Sequence, residues 1–459
     1  MTILTFPSVE YAADGIDKDF LREYRLDLCE DWDYSTFDRF DHKCILTSRA
    51  QALDKNLLQR MASCGALVDL DLADYRRFPN LVPSKRLILS IHQDLLDKEA
   101  IGDFLELTER AFFYKIILRE ASFSDILWVR KRILASGKKR VIFNVMGRWA
   151  IFQRALHESF ASCGYYAAIG PKVVKEQPDH AAITDIRRNL ARKDALVYGI
   201  LGGKQVNESL SLSKYNDLFW QKQIAAAFLP FPTNDLDEFL VLISFLKQQF
   251  RLAGLAVTSP HKQALAQYLN CEMDSINTVQ FRDNHHSRNR YNNRLGTYVY
   301  EENTDLVAFR QSLDLLGIEH NDRILIYGTG DCGDAFAGDL ITQGYRKPSI
   351  MGRNPAKVSK LNQRYALTPL EEGPYDLFIN ASFLGLDPLD KIEHLPGFLK
   401  ILDLPYHRHS GPTGIIKHAI SESIPYIDGH EFWRLQYEAQ KDCLFFSDEL
   451  SQSSMKKNI

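Results

Sequence analysis

Eight short apolar runs punctuate the chain between Thr2 and about Ala191: TILTFPS, LREYRLDL, KCILTSR, ALVDLDL, RLILSIH, FYKIILRE, RVIFNVM and YYAAIG. Most are followed by a stretch such as FSDILWVRKRIL or DHAAITDIRRNL, in which apolar residues recur three and four apart, the spacing of an amphipathic helix. Strand and helix in strict alternation imply a parallel sheet covered by its own crossover helices. Eight such units predict a closed (β/α)8 barrel. The first connection, Val9 to Asp19, is too short for a full helix, so a trimmed barrel is expected.

In a barrel of this kind the polar residues at strand ends face the mouth where ligands bind. Those residues are Glu23, Arg25, Arg49, His92, Lys115 and Arg154. Three arginines, a lysine and a histidine suit an anionic substrate. Lys115 sits inside the run FFYKIIL, where desolvation disfavours the ammonium and favours an amine able to attack a ketone. The resulting iminium draws electrons from the adjacent carbon, and His92 on a neighbouring strand can move the proton. Taken singly, each residue has a plainer reading: Lys115 ending in solvent, His92 a hydrogen-bonded core histidine.

The totals narrow the class. A chain of 459 residues is long for one core, and about three compact units are expected. With 45% apolar and 25% charged residues the composition is globular, and a net charge of −3 gives no electrostatic reason to bind nucleic acid or anionic lipid. The most hydrophobic run, FLVLISFL at Phe239–Leu246, is far short of the ~20 residues of a membrane span and reads as a buried helix. The start, MTILTFPSVE, has no secretory pattern. Seven scattered cysteines without a CxxC pair suit reduced thiols in a cytoplasm and no metal site.

At Arg192–Ala195 the segment ARKDA separates the last barrel helix from a new strand, LVYGILG. The expected organisation is a barrel over 1–192, a catalytic domain over 195–309, a nucleotide-binding domain over 310–428, a helix over 429–445 returning to the catalytic domain, and a frayed tail over 446–459. The catalytic part carries SLSKYN, GLAVTSPHK, INTV and NTD; the polar stretch RDNHHSRNRYNNR between the last two reads as a solvated hairpin loop. Further on, DRILIYGTGDCGDAFAGDLITQGY gives a strand, then Gly328, Gly330 and Gly333 in GxGxxG spacing, then a helix, a Rossmann-like dinucleotide turn. Arg353 stands twenty residues past Gly333 (353 − 333), where an NAD-binding chain carries an acid for the ribose diol. An arginine there suits a 2′-phosphate, so NADP (as NADPH) is the expected cofactor, with Asn354 and Lys357 assisting.

SLSKYN, VTSPHK, INTV and NTD, in this order, resemble the shikimate dehydrogenase family. The resemblance implies that Ser209 and Ser211 hold a substrate carboxylate and that Lys262 and Asp305 flank the reacting carbonyl, with Thr258, Asn277, Tyr406 of LDLPY and Gln436 of GHEFWRLQYEAQ as substrate-binding residues. Departures are Leu212, Tyr215, Ala256 and Glu301, with Ser382 and Leu386 in YDLFINASFLGL. In the first half ExR, TSR, SIH, the strand lysine and MGxxxxxxR resemble type I 3-dehydroquinate dehydratases. That resemblance implies Lys115 as the Schiff-base residue, His92 as general acid and base, Glu23 orienting His92, and Arg25, Arg49 and Arg154 binding substrate. Here the departures are Ala150 and Gln153, and EQPDH, with Glu176 and His180, in place of a lid sequence close to SAPGQ.

Together the resemblances imply a two-enzyme fusion for consecutive steps of the shikimate pathway, acting on 3-dehydroquinate and then 3-dehydroshikimate, and compatible with a homo-oligomer. The alternatives are quinate or shikimate oxidation by the same residues, or a catalytically silent sensor.

Overall fold

The computed structural model describes all residues except 7–19, 29–32, 50–52, 171, 173, 175, 283–289, 388, 391–394, 407–410 and 446–459. The expected short connection Val9–Asp19, the centre of the polar loop before NTD and the expected frayed tail therefore lie outside the described residues. The chain divides into two compact units, Met1–Leu252 and Ala253–Ile459.

In the first unit the eight apolar runs are eight parallel strands: β1 (Thr2–Phe6), β2 (Leu21–Arg25), β3 (Cys44–Thr47), β4 (Leu67–Asp71), β5 (Leu87–Gln93), β6 (Phe113–Leu118), β7 (Val141–Val145) and β8 (Tyr165–Ala168). Their order is β7-β6-β5-β4-β3-β2-β1-β8. Side chains, rather than a strand ladder, span the remaining seam between β7 and β8. Asn144 Oδ1 accepts from Tyr166 N at 2.9 Å, Ser162 Oγ accepts from Phe143 N at 2.8 Å, and Arg154 Nε donates to Tyr166 O at 2.7 Å.

The period of two along each strand builds the barrel interior in layers. Ile3, Ile45, Leu67, Ile88, Phe113, Ile142 and Tyr166 form an apolar floor. Two residues further along six of these strands come Thr5, Thr47, Asp69, Ser90, Lys115 and Asn144, all buried and polar. Each floor side chain contributes about 1.5–3 kcal/mol by leaving water. The layer above it is held because each member has a partner: Thr5 on Glu23, Thr47 on the Asp69 carbonyl, Ser90 on the Leu70 carbonyl, Lys115 on Asp69 and Asn144 on Tyr166 N, since an unpaired buried polar group is costly.

The remainder of this unit holds β9 (Leu196–Gly202) paired in parallel with the wholly buried β10 (Ala226–Pro232), and the helix Leu210–Gln221. FLVLISFL lies in the helix Leu236–Gln249 and is buried through Phe239, Leu242, Ile243, Phe245 and Leu246, as its hydrophobicity requires. Phe245 stacks on Phe160 at 5.0 Å between centroids. Glu238 Oε1 accepts from Phe123 N at 2.7 Å and from Arg148 Nη2 at 3.0 Å.

In the second unit β11 (Arg251–Val257), β12 (Thr278–Arg282) and β14 (Thr297–Glu302) run antiparallel to their neighbours, with β13 (Arg290–Asn292) on β14. A five-stranded parallel sheet follows, β15 (Ile324–Tyr327), β16 (Ser349–Met351), β17 (Leu377–Asn380), β18 (Ile401–Asp403) and β19 (Tyr426–Ile427), in the order β16-β15-β17-β18-β19. Among the described residues no helix is long and apolar enough to cross a membrane. The architecture is α/β throughout: an eight-stranded parallel barrel, then a mixed sheet and a Rossmann-like parallel sheet.

Candidate active sites

The barrel mouth opens on a cavity of about 310 Å³ lined by Glu23, Arg25, Arg49, His92, Lys115 and Arg154, together with Tyr166, Glu176 and Gln177. All six residues singled out in the sequence reach it. Lys115 Nζ lies 2.7 Å from Asp69 Oδ2 and 3.4 Å from Glu23 Oε1. The burial expected for this lysine thus comes with two carboxylates. Arg49 Nη2 shares the same Asp69 oxygen at 2.9 Å. Burial alone would raise the Asp69 carboxyl, but Arg49 and Lys115 hold it well below the usual carboxylate range.

His92 is partnered by Asp71, Nδ1 to Oδ2 at 3.3 Å, and not by Glu23, which corrects the expected orienting role. The reason is strand order. β4 is the neighbour of β5, whereas β2 is separated from it by β3 and β4. Glu23 instead accepts from Thr5 Oγ1 at 2.6 Å. Burial, with Arg49 and Lys115 nearby, lowers the imidazole of His92 to about 4 despite Asp71. With Nδ1 facing an anionic carboxylate, Nδ1 carries the hydrogen and Nε2 presents a lone pair.

Arg154 is 1% exposed, and its guanidinium donates to the carbonyls of Tyr166, Val145 and Ala150. No carboxylate pairs with it among the described residues, and burial lowers it to about 9. A buried cation without a counter-charge is a place for a substrate anion. Arg25 is held by Asp27 at 2.9 and 2.6 Å.

Three residues here were missed, Gln177, Asp69 and Asp71. Gln177, 4% exposed, donates from Nε2 to Thr5 Oγ1 at 2.9 Å and so joins the chain Thr5, Glu23, Lys115. His180, expected at the corresponding lid position, instead sits edge-on to Phe20 at 5.2 Å. Asp69 and Asp71 of LVDLD were also passed over, although their spacing of two puts both carboxylates on one face of β4.

Ser209 and Ser211 lie in the first unit, at the start of the helix Leu210–Gln221, where Ser209 Oγ accepts from Ser211 N at 3.2 Å. Tyr215 is core, tilted on Phe228 at 4.6 Å, and Asn216 bonds Phe228 N and O at 3.0 and 2.8 Å.

In the second unit three chain ends meet because β12 lies between β11 and β14. Val257 N donates to Asn277 O at 2.7 Å and Asn277 N donates to Glu302 O at 3.1 Å. Asn277 thereby stands between the turn that leads to Lys262 and the one that leads to Asp305. Lys262, in the first turn of the helix His261–Leu269, meets Asp305, in the first turn of the helix Thr304–Leu315, at 2.5 Å. Asn277 Nδ2 donates to Asp305 Oδ1 at 2.8 Å, while its Oδ1 accepts from Thr304 N at 2.8 Å. Gln436 Nε2 donates to Thr304 Oγ1 at 3.0 Å. Burial would lower the Lys262 ammonium, but Asp305 raises it above the ordinary value. Thr258 lies in the connecting turn, its carbonyl accepting from His261 N at 3.0 Å, and Tyr406 packs on His430 at 4.8 Å.

The glycine-rich turn links β15 to the helix Asp331–Thr342. A Cβ on Gly328 would meet Ala381 O at 2.4 Å and one on Gly333 would meet Gly328 O at 2.1 Å, whereas beside Gly330 there is open space. The two outer glycines make the tight turn and the middle one leaves room for a pyrophosphate. Arg353 follows β16 and is exposed, as is Lys357; Asn354 caps the helix Pro355–Tyr365 by accepting from Lys357 N at 3.2 Å. These residues fit NADP.

A buried lysine at a barrel mouth, followed in the same chain by a Lys–Asp pair and a dinucleotide turn, defines a two-part α/β enzyme. No family model matches the chain. Curated sequences called shikimate dehydrogenase (NADP(+)) do match: that of Caldicellulosiruptor saccharolyticus is 24% identical over 196 residues, covering 40% of this chain and 68% of its own. That of Pyrococcus abyssi is 26% identical over 258 residues, 53% of this chain and 88% of its own. Over its C-terminal part the chain is similar to these curated NADP-dependent shikimate dehydrogenases.

Among solved structures, the shikimate 5-dehydrogenase of Thermus thermophilus in complex with NADP(H) and shikimate aligns with TM-score 0.45 and 20% identity over 57% of this chain and 99% of its own. The dehydroquinate dehydratase and shikimate dehydrogenase from S. pombe AroM aligns over 99% of this chain and 98% of its own, with 16% identity and TM-score 0.41.

Proposed function

We propose that this chain is a bifunctional shikimate-pathway enzyme that dehydrates 3-dehydroquinate to 3-dehydroshikimate in its barrel and reduces that product to shikimate with NADPH in its second part. The observation that carries the reading is that Lys115, His92 and the uncompensated Arg154 share one cavity. The functional division runs over 1–192 for the dehydratase, over 195–309 and 429–445 for the reductase catalytic part, and over 310–428 for cofactor binding.

In the barrel, Arg154 takes the substrate carboxylate, helped by Arg25 and Arg49. Lys115 gives one proton to the neighbouring Glu23 carboxylate and its amine attacks the ring ketone; the carbonyl oxygen gains one proton from the nitrogen and one back from Glu23 and leaves as water, giving an iminium at Nζ. His92 Nε2 then takes a proton from the neighbouring ring carbon, and the C–H electrons move toward the iminium. The same proton, returned by His92, accompanies the departing hydroxyl as water. A second water hydrolyses the iminium and frees Lys115.

In the second part, NADPH supplies the hydride when bound. Lys262 steadies negative charge growing on the carbonyl oxygen, and the Lys262–Asp305 pair passes that oxygen its proton. Asn277 fixes the Asp305 carboxylate. Arg353 takes the 2′-phosphate, and the Ser209–Ser211 segment is assigned to the carboxylate by its resemblance.

The test is a pair of variants. Lys115→Ala should abolish formation of 3-dehydroshikimate from 3-dehydroquinate while NADPH oxidation with added 3-dehydroshikimate persists; Lys262→Ala should do the reverse. Dehydration by the Lys115→Ala chain would remove the imine reading.

A further inference from the structure

The ring of Tyr166 faces Lys115 Nζ at 4.1 Å from its centroid. Tyr166 belongs to the barrel floor, where every other member is aliphatic or Phe113, and it is 4% exposed. Its hydroxyl has no hydrogen-bond partner among the described residues, so it is not kept as tyrosine by a buried hydrogen bond. Its backbone is fixed on both sides of the seam, N to Asn144 Oδ1 at 2.9 Å and O from Arg154 Nε at 2.7 Å, and the ring, packed among the floor side chains, has little room to turn away from Nζ.

The geometry points to Tyr166 as a further catalytic residue of the barrel, one whose aromatic face holds the positive charge on the iminium nitrogen of Lys115. This rests on the imine reading above. An imine nitrogen is a far weaker base than an amine, and only its protonated form draws electrons from the neighbouring carbon. A desolvated ring face stabilises a cation at this distance, raising the pH at which such a nitrogen loses its proton by about one unit. Nζ lies against Glu23 from β2 and Asp69 from β4, and the same cavity is lined by Arg25 from β2, Arg49 after β3, His92 from β5, Arg119 after β6, Arg154 beyond β7 and Glu176. The carboxylates favour the cation and the arginines oppose it. The ring supplies attraction without a negative charge that would repel the substrate carboxylate.

The experiment measures kcat for dehydration against pH in the full chain, with borohydride trapping of the imine at each pH. Tyr166→Phe keeps the face and loses the hydroxyl; Tyr166→Leu loses the face. Phe should leave the alkaline limb where it is, and Leu should move it down by about one pH unit, with trapped imine at pH 9 falling about tenfold. Tyr166→Met gives a second aliphatic floor if Leu packs badly, and calorimetric unfolding of the full chain reports that each variant's barrel is folded. An unmoved limb in both the Leu and Met chains overturns the role of Tyr166, as does a Phe chain that behaves like Leu. Either result leaves the imine reading standing so long as Lys115→Ala remains inactive.

Discussion

Asp69 Oδ2 lies 2.7 Å from Lys115 Nζ and 2.9 Å from Arg49 Nη2, so one carboxylate oxygen serves both cations at the base of the barrel mouth. Its removal leaves the two cations with only longer contacts, Lys115 to Glu23 at 3.4 Å and Arg49 to Asp71 at 4.0 Å. Asp69→Ala should therefore destabilise the barrel by about 3–5 kcal/mol, the usual result of breaking a buried ion pair from one side. Calorimetry should show the loss, and activity assays should show dehydration failing while reduction of added 3-dehydroshikimate survives. A stability change within about 0.5 kcal/mol would mean that Glu23 and Asp71 compensate the two cations.

His92 is lowered to about 4 by burial and by its cationic neighbours. The base is active when neutral, so dehydration kcat/KM should stay level from pH 8 to about 5 and fall only as pH approaches 4. His92→Ala should cost roughly 10²–10⁴ in kcat. An acid limb near the ordinary imidazole value would show that the ring is more hydrated than its position implies.

What could be read from sequence, and what could not, follows from the range of each physical signal. The eight strands were legible because each is a run of apolar residues with its own period, a signal contained within a few residues. Lys115 and His92 were legible because a charge inside such a run is locally anomalous. The partner of His92 was not, because it is set by which strands are neighbours: Asp71 is adjacent through β4, Glu23 is not. The seam residues Asn144 and Ser162 carry no local sign of their role, since both substitute for a ladder that only closure of the sheet makes necessary. Tyr166 looked like any apolar strand residue. Conversely, Asn277 and Asp305 stand 28 residues apart and meet only because β12 threads between β11 and β14.

Asn277 fixes one oxygen of Asp305 while Lys262 holds the other. Asn277→Ala frees that carboxylate to rotate, and kcat for reduction should fall by about ten- to a hundredfold, a loss of one charge-assisted hydrogen bond. The KM for NADPH should stay unchanged. Steady-state kinetics with both substrates varied separates the two, and a rise in the KM for NADPH with unaltered kcat would place Asn277 on the cofactor side instead.

Arg353 is exposed just beyond β16. Arg353→Ala should raise the KM for NADPH by roughly ten- to a hundredfold, corresponding to about 1.5–3 kcal/mol for a hydrogen bond to a charged group, and leave the KM for NADH where it was. Equal effects on both cofactors would show that the arginine acts on something other than the 2′-phosphate.

Asp403, at the end of β18, is fully buried, accepting from Asn380 Nδ2 at 2.6 Å and from Thr413 Oγ1. Burial pushes its carboxyl up to about 7, with Asp428 adding repulsion and the two donors offsetting part of it. A folded value above the unfolded one means that the group contributes stability which is complete below about pH 4 and disappears as pH rises through 7. The folded second unit should thus lose stability across this window by an amount up to about 4 kcal/mol. Asp403→Asn keeps an oxygen for Asn380 and has no charge to bury, so its unfolding midpoint should be flatter with pH than that of the parent chain. The difference between the two chains isolates Asp403 from every other titrating group. If parent and variant lose stability in parallel between pH 4 and 8, Asp403 is ionised at neutral pH, and its donors, not burial, set its charge.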